Sequence, residues 1–185
     1  SISEQLERNV ANFPASNALV SMEDGDSITW QELWDWSARI ALYLRNLGIQ
    51  KNDRILVLGE NTTEHLILYY AIQSFGSTYC TINTDVNYNH LIEMVDRISP
   101  KLIFIEQGIG NLIIEPKRKT KIIFFDDRRS DTDLFTKLSK LNSKNLYHLK
   151  NAQDDHCVIC FTSGTSAQPK GVIHSFSNYQ AIAQH

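Results

Sequence analysis

The sequence predicts an α/β fold in which a mainly parallel sheet is covered by helices on both faces. Segments with the apolar spacing of helices alternate with short apolar segments along most of the 185-residue chain. This alternation is typical of strand–helix–strand units, which build parallel sheets. The short segments contain continuous apolar runs, such as residues 55–58 and 102–105, as expected for strands that are buried on both faces. The length fits one domain, residues 1–185, with a sizeable core.

The first third of the chain predicts a helix, a hairpin and a second helix. Residues 2–12 have the spacing of a short amphipathic helix. Two strand-like segments then flank a turn cluster that begins at Glu23, which indicates a β-hairpin. Thr29 is followed three residues later by Glu32, the pattern of a capping box at the start of a helix. Gly48 is expected to end this helix.

The alternation continues beyond Gly48. Asn61, paired with Glu64, predicts the cap of a helix that ends at Phe75, and Ser177 or Asn178 predicts the cap of the last helix. Two further helices are predicted over residues 88–98 and 132–141. Strands are predicted over residues 54–59, 77–82, 101–105, 121–125 and 156–161, and residues 156–161 are expected to be the last strand.

Composition and charge exclude several classes of protein. Hydrophobic residues make up 42% of the chain and charged residues 21%, which is typical of a globular domain. The net charge of −3 gives no electrostatic basis for binding nucleic acid or an anionic membrane. No apolar run is long enough to predict a transmembrane segment, and the first residues lack the pattern of a signal peptide. With three cysteines, an odd number, the sequence indicates reduced thiols and a cytoplasmic protein.

Cys157 and Cys160 form a C-x-x-C pattern, which in redox proteins lies at a helix N-terminus. Here the pattern lies inside an apolar strand, where residues three apart point to opposite faces, so both are interpreted as core cysteines. A zinc site would require a second ligand pair, and neither the cysteines nor the six histidines have that spacing. No metal site is predicted.

The most chemically distinctive segment is Thr162-Ser-Gly-Thr-Ser-Ala-Gln-Pro-Lys-Gly, which is expected to lead from the last strand to a helix about six residues later. Its glycines let backbone N–H groups approach an anion, its four hydroxyls can donate to phosphate oxygens, and Lys170 adds a cation. A polyphosphate-binding loop is predicted, with a flexible polar turn as the alternative. The pattern G-x-x-x-x-G-K-[ST] does not fit, because Lys170 precedes its glycine.

The order of these residues resembles the phosphate-binding loop of the adenylate-forming (AMP-binding) enzymes, the superfamily of acyl-CoA synthetases, nonribosomal peptide synthetase adenylation domains and luciferases. Their pattern is approximately [ST]-[ST]-G-[ST]-[ST]-G-x-P-K-G-V, and His174 is also typical of the family. Ala167 departs from it, standing where glycine is usual. Weaker resemblances lie upstream, at residues 28–33 and at residues 75–84, where Thr81 replaces a usual proline. The similarity covers roughly residues 4–185. The matching loop positions are Thr162, Ser163, Gly164, Thr165, Ser166, Pro169, Lys170, Gly171 and Val172.

The resemblance implies that residues 1–185 are the N-terminal part of the large adenylation domain, truncated after the phosphate loop. It implies no catalytic residue and no metal ligand in this chain, because the catalytic lysine, the adenine site and a magnesium-binding glutamate follow later in the family. The chain alone is therefore expected to be inactive. By the same resemblance, the ATP-binding residues are Thr162, Ser163, Gly164, Thr165, Ser166, Lys170 and Gly171.

For the full-length protein, the resemblance implies ATP-dependent activation of a small carboxylic acid to an acyl-adenylate, with release of pyrophosphate. ATP and Mg²⁺ are the implied cofactors, and CoA or pantetheine accepts the acyl group. Ile82-Asn-Thr and Asn89-His-Leu resemble acyl-CoA synthetases more than amino-acid adenylation domains. Two alternatives remain open: an amino-acid adenylation domain that loads a carrier protein, and a non-catalytic binding or assembly module, which Ala167 and Thr81 favour.

Overall fold

The computed structural model describes residues 1–22, 25–107, 109, 120–125, 133–142, 145, 147–149, 152–162 and 169–182. Six helices and eight strands lie within these ranges. The helices are α1 (Ile2–Asn12), α2 (Trp30–Asn46), α3 (Thr63–Phe75), α4 (Tyr88–Ile98), α5 (Leu134–Ser139) and α6 (Phe176–Ile182). The strands are β1 (Asn17–Val20), β2 (Ser27–Thr29), β3 (Arg54–Leu58), β4 (Thr78–Thr81), β5 (Leu102–Glu106), β6 (Lys121–Phe125), β7 (His156–Thr162) and β8 (Lys170–Ser175).

The strands form a small hairpin and one large sheet. β1 and β2 pair antiparallel, which confirms the predicted hairpin. The large sheet has the strand order β6-β5-β3-β4-β7-β8. Its first five strands are parallel, and β8 pairs antiparallel with β7. The predicted mainly parallel sheet is therefore confirmed, but the prediction that β7 is the last strand is wrong, because residues 170–175 add β8 at the edge.

Two apolar cores lie on opposite faces of this sheet. Alternate residues of β3 separate between them: Ile55 and Val57 belong to the first core, and Leu56 and Leu58 to the second. α2 and α3 cover the first core, and α4 covers the second. This confirms that helices cover both faces.

The direction of the chain explains why α3 and α4 lie on opposite faces. The connection from β3 through α3 to β4 runs toward the β8 edge of the sheet, and the connection from β4 through α4 to β5 runs back. Crossovers between parallel strands are almost always right-handed, so a reversal of direction requires a change of face. After the neighbouring strands β3 and β4, the chain therefore leaves toward opposite faces, the arrangement at whose carboxyl ends ligands bind in open parallel sheets.

The helix termini confirm some predicted caps and correct others. Thr29 and Glu32 form the predicted capping box of α2. α3 is capped by Thr62, whose side chain accepts a hydrogen bond from the His65 N–H, and not by Asn61 as predicted. The hydroxyl of an N-cap residue reaches the N–H three residues later, and Thr62 is in that register while Asn61 is not.

In the last helix, too, the capping side chain accepts from the N–H group three residues later. The Ser175 hydroxyl accepts a hydrogen bond of 3.3 Å from the Asn178 N–H, and the Asn178 side chain accepts one of 3.1 Å from the Ser175 N–H. Ser175 therefore occupies the capping position, and the prediction of Ser177 or Asn178 as the cap is wrong. Within the described ranges, no helix combines the length and the apolar character that crossing a membrane requires.

All three cysteines are free thiols, and Cys157 is buried as predicted. Its Sγ atom lies 2.6 Å from Oε1 of Gln73 on α3. A register shift between His156 and Val158 interrupts the alternation of β7, so that Cys157 and Val158 both pack in the first core. The half-buried Cys160 lies two residues after Val158 and therefore faces the same side. The prediction that the two cysteines point to opposite faces is wrong for this reason.

Candidate functional site

The predicted phosphate loop connects β7 to β8 at the edge of the large sheet. Thr162 is the register partner of Lys170, and Phe161 is the partner of Gly171. The loop is therefore closed by an antiparallel strand pair, and the helix predicted about six residues after the loop is α6, which begins at Phe176 beyond β8. It begins at the carboxyl end of β7, the end of a parallel strand at which ligand crevices form.

Some of the predicted site residues can be placed at the base of this loop. The structure brings Thr162, Lys170 and Gly171 together across the β7–β8 pair, and all three are exposed. The described part of the chain forms no ion pair with Lys170, so its ammonium group is available to an anionic ligand. The predicted ligands Ser163, Gly164, Thr165 and Ser166, as well as Ala167, lie outside the described residues.

Gly171 is closely packed against the neighbouring strand. A Cβ atom at this position would lie 3.4 Å from Cε1 and 3.5 Å from Cζ of the Phe161 ring. Phe161 in turn packs against the second core. The first residues of β8 therefore lie directly on a ring that is anchored in the sheet.

A second polar cluster, which sequence reasoning missed, lies at the carboxyl ends of β3 and β5. The Glu60 N–H donates a hydrogen bond of 2.6 Å to Oε2 of Glu106, the last residue of β5. Nδ1 of His65 lies 2.8 Å from the Glu60 carbonyl oxygen, and Nε2 lies 2.6 Å from the Tyr79 hydroxyl. Glu106 and His65 are 8% and 5% exposed. The signal in the sequence was Glu106 itself, a carboxylate that directly follows an apolar run.

The hydrogen bonds of His65 define its tautomer. A carbonyl oxygen can only accept, so Nδ1 carries a proton, and in the neutral ring Nε2 accepts from the Tyr79 hydroxyl. Burial lowers the pKa of His65, although nearby carbonyl groups oppose this effect. Burial also raises the pKa of Tyr79 to about 12. Both side chains are therefore neutral at physiological pH, and they act as a fixed support for the turn at Glu60.

Gly59 allows this turn to pass close to the Glu106 side chain. A Cβ atom at Gly59 would lie 2.8 Å from Oε2 of Glu106 and 3.0 Å from Cζ of Phe125. A larger residue at this position would therefore displace the Glu106 carboxylate and shift the Phe125 ring. The backbone at the carboxyl end of β3 is thus held by Glu106 on one side and His65 on the other.

The buried His65 predicts a specific pH dependence of stability. Because its pKa is lower in the folded protein than the ordinary value of 6.5, the unfolded chain binds a proton first as the pH falls. The free energy of unfolding should therefore decrease below about pH 6.5, by at most about 1.4 kcal/mol per pH unit for one proton. Urea unfolding of the protein at several values between about pH 7.5 and 5 measures this slope. His65→Gln removes the titrating group and should flatten the curve, and parallel curves for the two proteins would contradict the assignment.

Comparisons with known proteins bear on the family and on the fold. The chain matches the family described as AMP-binding enzyme over residues 6–185. The peroxisomal OPC-8:0-CoA ligase 1 of Arabidopsis thaliana is 27% identical to it over 172 residues, covering 90% of this chain and 32% of the relative. The 2-succinylbenzoate–CoA ligase of Oceanobacillus iheyensis is 25% identical over 171 residues, covering 91% of this chain and 33% of the relative. The chain thus spans about a third of the length of these two relatives.

A solved structure shares the same fold. The luciferase-like enzyme from the nonluminescent Zophobas morio mealworm aligns with a TM-score of 0.83 and 22% identity. The alignment covers 99% of this chain and 43% of that one. This likeness supports the arrangement of the sheet and its helices.

Proposed function

Because the chain belongs to the family of AMP-binding enzymes, we propose that the full-length protein activates a carboxylic acid with ATP. A carboxylate oxygen attacks the α-phosphorus and forms the acyl-adenylate. The bond from the α-phosphorus to the oxygen that bridges to the β-phosphate breaks, and pyrophosphate leaves with the electron pair. The observation that carries this proposal is the loop at the carboxyl end of β7, with Thr162 and Lys170 paired across its base.

We assign the loop the role of holding the β- and γ-phosphates of ATP. Negative charge builds up on the departing pyrophosphate, and fixed N–H, O–H and ammonium donors stabilise it. The proposed ligands are Thr162, Ser163, Gly164, Thr165, Ser166, Lys170 and Gly171. None of them forms a covalent bond to the substrate.

CoA is the proposed acceptor of the acyl group, because both relatives are named as CoA ligases. The CoA thiol sulfur attacks the acyl carbon of the adenylate, AMP leaves, and the thiol proton is released to solvent. Pantetheine on a carrier protein is the alternative acceptor. Mg²⁺ is proposed to accompany ATP with a protein ligand outside residues 1–185. In the described part of the chain, no group of three or more His, Cys, Asp or Glu side chains could hold a metal ion.

Residues 1–185 are proposed to be the N-terminal part of the adenylation domain and to lack activity alone. The share of about a third of the relatives' length supports this assignment. The three free thiols support a reducing compartment such as the cytoplasm. One relative is named as peroxisomal, so targeting of the full-length protein is best established by imaging.

The test is carboxylate-dependent exchange of labelled pyrophosphate into ATP, with fatty and aromatic acids as candidate substrates. The full-length protein should catalyse exchange with at least one acid, whereas residues 1–185 should not. Thioester formation with CoA, compared with transfer to a pantetheine-bearing carrier protein, then identifies the acceptor. Binding of ATP without exchange for any acid would overturn the proposal in favour of a non-catalytic module.

A further inference from the structure

A side chain on α4 contacts the exit of the phosphate loop. Nη1 of Arg97, in the last turn of the helix, donates a hydrogen bond of 3.0 Å to the carbonyl oxygen of Pro169. Pro169 immediately precedes Lys170, and the two partners are 72 residues apart in the sequence. The bond therefore joins the loop to a helix on the second face of the sheet.

α4 is a rigid point of attachment. Leu91, Met94, Val95 and Ile98 are all buried in the second core, and their exposed fractions do not exceed 2%. Arg97 itself is exposed, and its side chain reaches from this core-anchored helix to Pro169 at the sheet edge. A guanidinium donor on a fixed helix can hold the carbonyl group it contacts in one direction.

The end of the loop, where β8 begins, is held by few other elements. β8 is an edge strand, and in the described part of the chain β7 is its only neighbour in the sheet. The Arg97 bond adds a contact from a third element. Because the peptide bond is planar and trans, fixing the Pro169 carbonyl also fixes the direction of the Lys170 N–H, which points the opposite way. The position of the Lys170 Cα atom, from which the side chain extends, is thereby fixed as well.

We propose that Arg97 is a positioning residue that orients the Pro169–Lys170 peptide and thereby directs Lys170 toward the phosphates. This inference rests on the proposed function of the loop. In this proposal Arg97 acts through Lys170, because its Nη1 atom donates to the backbone carbonyl beside Lys170.

The experiment is a double-mutant cycle in the full-length protein, read out by pyrophosphate exchange. Arg97→Ala should lower kcat/KM for ATP about 3- to 10-fold, the change expected for loss of one net hydrogen bond. In a Lys170→Ala background the same change should have less than about a twofold effect, because the residue that Arg97 orients is gone. Arg97→Lys keeps a donor and should recover part of the loss.

Arg39→Ala is the matched control. Nε of Arg39 donates a hydrogen bond of 3.2 Å to the Leu141 carbonyl oxygen, the same type of contact, but from α2 on the opposite face of the sheet. It should leave kcat/KM for ATP unchanged. Melting temperatures of all variants are measured as well. A variant that loses activity but keeps its melting temperature has lost the orientation of Lys170 and not the fold.

The outcomes distinguish this inference from the proposed function. If Lys170→Ala impairs exchange and Arg97→Ala does not, the positioning role is overturned while the proposed function stands. If the two losses are additive, Arg97 acts independently of Lys170, which also overturns the positioning role. If Lys170→Ala has no effect on exchange, the proposed phosphate site fails first.

Discussion

Replacing Lys170 with alanine is expected to lower the adenylation rate of the full-length protein about 10- to 100-fold at saturating ATP. The ammonium group is exposed at the base of the loop and is not paired within the described part of the chain. A charge-assisted hydrogen bond contributes about 1.5–3 kcal/mol, and this contribution appears in the rate if the bond strengthens as charge builds on the pyrophosphate. Single-turnover formation of the adenylate measures it.

Two further variants serve as controls for Lys170→Ala. Ser166→Ala removes a neutral donor and should cost less than Lys170→Ala. Lys140→Ala removes an exposed lysine that follows α5, on the first face of the sheet, and should leave the rate unchanged. If Lys170→Ala kept both the rate and the KM for ATP within about twofold of the parent, the loop would not be a phosphate clamp. The non-catalytic module would then be the better interpretation.

Buried strands could be predicted because nearly all of their residues are apolar. Apart from Arg54 at the start of β3 and Glu106 at the end of β5, these two strands are continuous apolar runs. Both neighbour other strands on each side, so nearly every side chain enters one of the two cores. β8 lacks this signal. It is an edge strand with Gly171 and polar residues at both ends, and its Ile173 is 52% exposed. Local apolar character therefore predicted the other five strands of the sheet, including the edge strand β6, and missed β8.

The caps could be predicted only to within a residue or two. Apolar spacing predicts which residues a helix buries, but the cap depends on where the first turn begins. Asn61 and Thr62 both have side chains that can cap a helix. Only Thr62 lies three residues before His65, whose N–H group in the first turn donates to the cap. Ser175 was missed in the same way, because it belongs to the unpredicted strand β8 as well as to the start of α6.

The base of the phosphate loop and the second polar cluster differ in how they could be predicted. Thr162, Lys170 and Gly171 lie close in the sequence, and the order of residues around them is specific to a family. The support of Glu60 by Glu106 joins residues 46 apart and exists only because β5 lies next to β3. Strand order is a property of the whole fold, so no local pattern predicts this contact or the one between Arg97 and Pro169.

The largest stability effect is expected for Phe104→Ala. Phe104 lies on β5, is fully buried and packs in the first core, which α2 and α3 cover. Removing the ring loses the free energy of transferring it from water and leaves a cavity that close-packed neighbours fill only in part. The free energy of unfolding should decrease by about 3–5 kcal/mol, a large part of the total for a domain of this size. Urea unfolding at neutral pH measures it through the shift of the midpoint.

Phe124→Ala is the matched control for this change. Phe124 lies on the neighbouring strand β6, opposite Ile105 in the register, and its side chain is 54% exposed. Since much of its ring already contacts water, truncation loses less transfer free energy and leaves no closed cavity. The loss should therefore be below about 1.5 kcal/mol. Equal losses for the two phenylalanines would show that the first core does not close over β5, and the two-faced arrangement of the sheet would then be wrong.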